Sequence, residues 1–433
     1  MEDLKIEKTR KIPRPLILML NKMVMDYYRS LRFAERKGRP IAWTCLGFPK
    51  NILFALDIIP AYPQFNMAFQ SAGKTREHII RNIEGKYQIS PDLCGEVKSM
   101  ICSAVNSDVM SFRLPEPDML VATNSACNNQ IKGFNFLEHY FKIPLFFYDY
   151  PRSFYDIPKP HKESYLKQQF DEIVISIEKR YDTRFDSERY YDSTINDYKA
   201  YTVWREIIKL CAHRPGPVDA MDLNSFLTPF LSMDSKSDKL TDLYIKLYNS
   251  IFKMCDNTKN MKEIDPKKRE IRLLWDMLPV DNKSGFFKRL FSRYNAFVAM
   301  STLFPTLARS EISGLKFGYP LTKEQVEDYI KDKPFKTIDM QINHMHSFMH
   351  NSIKSRNRLM KKMIERFHID GVIMHMDRSC RMNSLPQYQV SHYVRKELNT
   401  PVLMFDANHM DQRYFSESQI LNRFEAFMEN INV

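Results

Sequence analysis

One short run near the far end of the chain constrains the fold more than any other stretch. Gly371-Val372-Ile373-Met374-His375-Met376 is mostly apolar and stops at Asp377-Arg378-Ser379-Cys380. It predicts a buried strand followed by a polar turn, with a helix starting at the cysteine. In an open α/β sheet the space beyond the carboxyl end of a strand is where ligands collect. Two earlier cysteines sit in similar settings. Cys127 follows the run Met119-Leu120-Val121-Ala122, and Cys94 follows Ser90-Pro91-Asp92-Leu93.

The rest of the chain reads as two such units with helices before and between them. Residues 1–40 form an N-terminal helical segment closed by Gly38-Arg39-Pro40. A first α/β domain covers 41–158. Its strands are expected at 41–46, 118–122 and 144–149, with helices from Phe48-Pro49, over 74–84 and over 128–140. Pro49 fits a first helical turn, where a missing N–H costs nothing. Pro60-Ala61-Tyr62-Pro63 reads as a loop. Pro91-Asp92 fits a helix start, since Asp caps well, and would put Cys94 where the helix dipole favours a thiolate. Residues 159–290 are charged and periodic at helical spacing, a mainly helical connecting region. A second α/β domain covers 291–433, with strands at 295–300, 371–376 and 401–406 and a closing helix over 416–430. The alternation predicts an α/β fold of two Rossmann-like parallel-sheet domains with additional helical segments.

Bulk properties remove several function classes. A chain of 433 residues is too long for one compact core. No apolar run reaches the roughly 18 residues that a membrane span needs. Mean hydropathy is -0.43, and the first residues lack the layout of a signal peptide, so a cytoplasmic location is expected. The net charge of +12 is dispersed. Its densest patch, Lys354, Arg356, Arg358, Lys361, Lys362 and Arg366, reads as a solvated helix face and not as a nucleic-acid footprint. There is no G-x-G-x-x-G. Ala72-Gly73-Lys74-Thr75 imitates the end of a phosphate loop, but Ala68 stands where its first glycine belongs, so no nucleotide site is expected.

Seven cysteines, an odd number, argue against a disulfide framework. Cys45, Cys211 and Cys255 read as small buried apolar groups; Cys102, eight residues after Cys94, reads as another buried thiol, with a further cluster ligand as the alternative. Cys94, Cys127 and Cys380 come from turns in both halves of the chain. They could converge on an iron–sulfur cluster, which is held by thiolates, or be buried thiols like the others. A structural zinc site would bring compact ligand pairs, and no C-x-x-C is present. Spacing alone does not choose.

The motifs add to this. Pro91-Asp92-Leu93-Cys94, Asn124-Ser125-Ala126-Cys127-Asn128-Asn129-Gln130 and His375-Met376-Asp377-Arg378-Ser379-Cys380-Arg381 resemble those of the 2-hydroxyacyl-CoA dehydratase / benzoyl-CoA reductase family. So do Gly38-Arg39-Pro40-Ile41-Ala42-Trp43 with Phe48-Pro49, and Phe405-Asp406 with Asp411-Gln412-Arg413-Tyr414-Phe415-Ser416. The resemblance covers nearly the whole chain in order. It implies two α/β domains and a [4Fe-4S] cluster held by Cys94, Cys127 and Cys380. It also implies a related second subunit, an acyl-CoA substrate and a separate ATP-hydrolysing iron–sulfur activator that delivers one electron. In the dehydratases that electron makes a ketyl radical anion that expels a hydroxyl; in the benzoyl-CoA reductases the ring is reduced instead. No nucleic acid or membrane enters this scheme.

Two departures stand out. The serine and the carboxylate that follow the first strand and the next loop in the dehydratases become Leu46 and Gln64 here. Gln64 cannot act as a general base. Thr44 could supply a hydroxyl, and Asp57, His344, His346 or His350 a replacement acid or base. An electron-relay subunit without substrate chemistry of its own is the alternative that these departures raise.

Overall fold

The computed structural model describes residues 10–70, 74–105, 113–125, 127–151, 159–232, 236–259, 269–281, 283–304, 316–331 and 352–432. A first lobe runs through α1 (Arg14–Arg36), β1 (Ile41–Thr44), α2 (Lys50–Ala55), β2 (Ile59–Ala61), α3 (Pro63–Gln70), α4 (Lys74–Tyr87), α5 (Gly95–Val105), β3 (Met119–Thr123), α6 (Asn128–Phe141) and β4 (Leu145–Tyr148). Four helices follow: α7 (Lys159–Tyr181), α8 (Ser187–Leu210), α9 (Ala220–Ser232) and α10 (Lys239–Lys259). The second lobe comprises β5 (Ile271–Asp276), α11 (Ser284–Ser292), β6 (Ala296–Ser301), α12 (Lys323–Lys331), α13 (Ile353–Phe367), β7 (Gly371–Asp377), α14 (Arg381–Glu397), β8 (Val402–Ala407), a 3-10 turn (Gln412–Tyr414) and α15 (Glu417–Asn432).

Each lobe is built on a four-stranded parallel sheet, as the alternation of strands and helices predicts. The orders are β2-β1-β3-β4 and β6-β5-β7-β8. Both follow one plan. The second strand of each unit is laid on one side of the first and the third on the other. That reversal opens a crevice at the carboxyl ends of β1 and β3, and another beyond β5 and β7. All five residues of β3 are buried, and so are six of the seven in β7, because helices cover both faces.

Two strands lie where the sequence reads otherwise. β2 replaces the expected loop at Pro60-Ala61. It is an edge strand of three residues, where a proline removes no needed hydrogen bond. β5 lies inside the stretch read as helical. Arg272 interrupts its apolar pattern, yet the residue is only 1% exposed. Its guanidinium pairs with Glu270 at 2.8 Å and donates to the carbonyls of Phe367 and Cys211, both at 2.7 Å. The basic helix α13 also differs from a uniformly solvated face. Arg356 turns inward onto Asp276 of β5, at 2.8 and 3.0 Å.

α1 joins the two cores. Its Leu16 and Leu20 pack with α8–α10 and the second sheet, while Tyr28, Leu31 and Ala34 pack with the first sheet. Among the described residues, no helix is long and apolar enough to cross a membrane.

Candidate cofactor and substrate site

The carboxyl ends of the two sheets carry two of the three cysteines singled out by the sequence, and Cys94 lies between α4 and α5. Cys127 is the N-cap of α6, four residues past β3, and Cys380 is the N-cap of α14, three residues past β7. Neither thiol caps its own helix. Cys94 immediately precedes α5, and its carbonyl accepts from the Lys98 N–H at 3.0 Å. The three thiols therefore stand at the heads of three helices, two from the first lobe and one from the second.

They lie close enough to act on one another. Burial drives the Cys94 thiol pKa far up, and Glu96, Cys380, Cys127 and Asp377 push it further. Cys380 is likewise raised by burial, then by Asp377, with Cys127 and Glu96 adding to it. The helix dipoles favour thiolate at these positions, but desolvation and negative neighbours win. A cationic centre among them would reverse that balance, since metal binding needs and stabilises deprotonated sulfur. Three soft donors gathered from both lobes fit an iron–sulfur core in kind. Among the described residues, no group of three or more His, Cys, Asp or Glu could hold a metal ion. A single zinc needs its sulfurs within about 2.3 Å of one point, whereas a polynuclear core interposes its own iron and sulfide atoms between its ligands.

The lobes are tied together around this point. The Asn129 amide donates to the Ser379 carbonyl at 3.3 Å. Arg413 grips Glu84 through two bonds of 2.7 and 2.8 Å and also pairs with Asp411. Buried Lys98 bridges Glu84 at 2.6 Å and the Pro91 carbonyl at 2.7 Å, which fixes the loop ahead of Cys94. Burial opposes the charge on Glu84, but Arg413 and Lys98 outweigh it and hold the carboxyl below its ordinary range. Gly95 lets the two lobes touch: a Cβ there would stand 2.6 Å from the Cβ of Met410.

The two departures at Leu46 and Gln64 meet each other. Gln64 is fully buried, and its Oε1 accepts from the Leu46 N–H at 3.3 Å. A carboxylate could accept the same bond, so the amide keeps the turn and removes the charge. Thr44 is fully buried, and its hydroxyl has no hydrogen-bond partner among the described residues. Cys45, next to it, receives the Thr123 N–H at 3.3 Å. Burial raises its thiol to about 12, and it also feels Cys127 and Glu96. Cys102 packs among Ile79, Ile80, Ile83 and Met410, where burial alone raises it to about 12. Asp57 is half exposed and pairs with Arg39 at 2.5 Å, away from the crevice. His344, His346 and His350 lie outside the described residues.

Four polar groups at the site have no role in the sequence reading, although Gln130 and Asp377 lie within its motifs: Glu96, Gln130, Asp377 and His409. His409 donates through Nδ1 to Asp377 Oδ2 at 2.5 Å, and its backbone N–H reaches the same oxygen at 3.1 Å. Burial opposes ionisation of Asp377, but the charge and hydrogen bond of His409 overcome it and hold the carboxyl well below its usual range. Burial raises the Glu96 carboxyl, with Asp281 and Asp377 adding to it, despite the nearby His409 charge and a hydrogen bond from Gln130. Position past β8 was the available clue to His409, because that strand ends at the same edge as β7.

The sequence profile of 2-hydroxyglutaryl-CoA dehydratase, D-component, matches residues 45–431. The (R)-2-hydroxyisocaproyl-CoA dehydratase alpha subunit of Clostridioides difficile is 24% identical over 418 residues, covering 95% of each chain. The (R)-phenyllactyl-CoA dehydratase alpha subunit of Clostridium sporogenes is 20% identical, over 92% of this chain and 90% of its own. A benzoyl-CoA reductase subunit of Thauera aromatica is 22% identical, over 95% of this chain and 93% of its own. With the profile spanning most of its length, the chain belongs to the 2-hydroxyacyl-CoA dehydratase / benzoyl-CoA reductase family.

Proposed function

We propose that this chain is the cluster-bearing subunit of a radical acyl-CoA enzyme of 2-hydroxyacyl-CoA dehydratase type, which removes water from a CoA thioester. The observation that carries the reading is the placement of Cys127 and Cys380 at the N-caps of α6 and α14 and of Cys94 just ahead of α5, on lobes held together by the Asn129–Ser379 bond and the close approach of Gly95 to Met410. Bound there, a [4Fe-4S] cluster supplies one low-potential electron and a Lewis-acidic iron. The chain's own groups do the rest. The helix heads and the Lys98–Glu84–Arg413 chain hold the cysteine loops in register. Packing of α5 on the Met410 turn keeps solvent from the crevice, which guards a reactive radical against stray protons. Gln64 holds the Leu46 turn and takes no proton. The relatives are themselves named as subunits, which supports a partner chain, and a separate ATP-dependent activator would deliver the electron.

Reduction of an aromatic acyl-CoA is the second reading, because a benzoyl-CoA reductase subunit matches over the same span and at similar identity. An electron-relay role is the third, motivated by Leu46 and Gln64. Anaerobic reconstitution with iron and sulfide separates these from a cluster-free protein. The expected product is brown, with about four irons per chain, and Cys127→Ala loses the cluster. A colourless chain with no bound iron or sulfide sinks the proposal. If the cluster forms, an EPR change on adding a 2-hydroxyacyl-CoA favours dehydration, one with benzoyl-CoA alone favours ring reduction, and none with any thioester favours the relay.

A further inference from the structure

Buried polar atoms without partners gather at this crevice. Thr44 Oγ1, Ser125 Oγ, Gln130 Oε1 and His409 Nε2 each lack a hydrogen bond among the described residues. Such atoms cost free energy unless something bound there satisfies them. His409 is the one charged group among them. It is 6% exposed and pinned at three points. Nδ1 and the backbone N–H face Asp377, and the backbone carbonyl accepts from the Asp281 N–H at 2.8 Å. Nε2, on the opposite side of the ring, is left facing away from Asp377. The absence of a Cβ at Gly95 brings the head of α5 onto this turn. Glu96, on that helix head, acts on His409 and on Cys94 and Cys380. The ring therefore shares two neighbours, Asp377 and Glu96, with Cys94 and Cys380.

We propose that His409 Nε2–H is the hydrogen-bond donor for the carbonyl oxygen of a CoA thioester bound between the lobes, an assignment that rests on the acyl-CoA reading above. Burial would lower the imidazole pKa, but Asp377, then Glu96 and Asp281, outweigh it and raise it to about 9. At neutral pH both ring nitrogens then carry protons, and Nε2 can only donate. Asp377 already balances the positive charge, so the open donor calls for a neutral acceptor. An acyl-CoA offers neutral acceptors at its thioester carbonyl and at the amide carbonyls of its pantetheine arm; the thioester carbonyl is the one that must react at the thiols, with which the ring shares Asp377 and Glu96 as neighbours. A fixed, charge-assisted donor in a dry pocket is the arrangement that stabilises negative charge growing on a carbonyl oxygen.

Infrared difference spectroscopy on the full chain, reconstituted anaerobically, tests this with butyryl-CoA labelled with 13C at the thioester carbonyl. The carbonyl stretch should fall on binding to the wild type. In His409→Leu the shift should shrink to what the cluster iron contributes, and affinity should drop roughly 10- to 100-fold. His409→Gln, which keeps a neutral N–H of similar reach, should give a partial shift and covers the case in which the leucine variant fails to fold. A bound thioester with no shift in the wild type, or the same shift in either folded variant, overturns the assignment. If the wild type binds no acyl-CoA, the acyl-CoA reading itself fails, and that outcome is distinct from binding without a shift.

Discussion

The two lobes share a sheet plan and differ in charge where they meet. In each, the third strand of the unit runs into a turn that ends at a cysteine N-cap. The turns are closed in the same way. Thr123 Oγ1 accepts the Ser125 N–H at 3.1 Å in the first lobe, and Asp377 Oδ1 accepts the Ser379 N–H at 2.9 Å in the second. One device is neutral and the other carries a full charge. The hydroxyl has nothing further to balance, whereas the carboxylate must be paired, and His409 from the next strand's loop pairs it. The lesson is that a repeated backbone plan fixes where thiols are presented, while a single side chain after the strand fixes the electrostatics around them. The first lobe contributes two of the three cysteines, and the second contributes one with the charged pair.

The sharpest way to break the comparison is to remove a cysteine from each side. Cys127→Ala and Cys380→Ala should both abolish stable iron retention, measured as iron per chain after anaerobic gel filtration. Loss in one variant only would mean that the lobes are not equal contributors. Next comes the charge difference. Asp377→Asn leaves a buried imidazole without its counter-ion and should cost about 3–5 kcal/mol in denaturant unfolding. Thr123→Val should cost about 1 kcal/mol, and equal losses would erase the asymmetry. Gly95→Ala should destabilise by about 1–3 kcal/mol through the clash with Met410, and adding Met410→Ala should recover part of it. Without that recovery, the clash is not the cause.

The dependence on pH tests the same charged pair. His409 is raised in the fold from about 6.5 to about 9. Its contribution to stability is complete below about pH 6.5 and is lost as pH rises through about 9. Asp377 is depressed, so its contribution is present above about pH 4 and is lost on acidification below that. Urea midpoints should therefore fall between neutral pH and pH 9 in the wild type, and His409→Gln should flatten that limb. An unchanged slope would remove His409 as its source.

How much of this was legible differs by element. The strands at β3, β6, β7 and β8 were readable because unbroken apolar runs in a parallel sheet leave little else to be. β5 was hidden by Arg272, whose charge is neutralised by Glu270 and by carbonyls from other segments that no local pattern announces. β2 was hidden by its length and by Pro60. Cys94, Cys127 and Cys380 could be picked out because each stands at a turn before a helix. Glu96 and His409 could not, because their meeting depends on a glycine that lets one lobe press on the other.

By itself the sequence determined the local alternation of strand and helix, the turns that carry the three cysteines, and the motif order that marks the family. Tertiary structure alone decided which polar groups surround those thiols, that Gln64 and Leu46 contact each other, and that His409 is held charged with one nitrogen open. The physical reason is distance along the chain. Periodicity and capping act over a few residues, whereas burial, ion pairing and close approach join residues hundreds of positions apart, and only the packed lobes bring those into range.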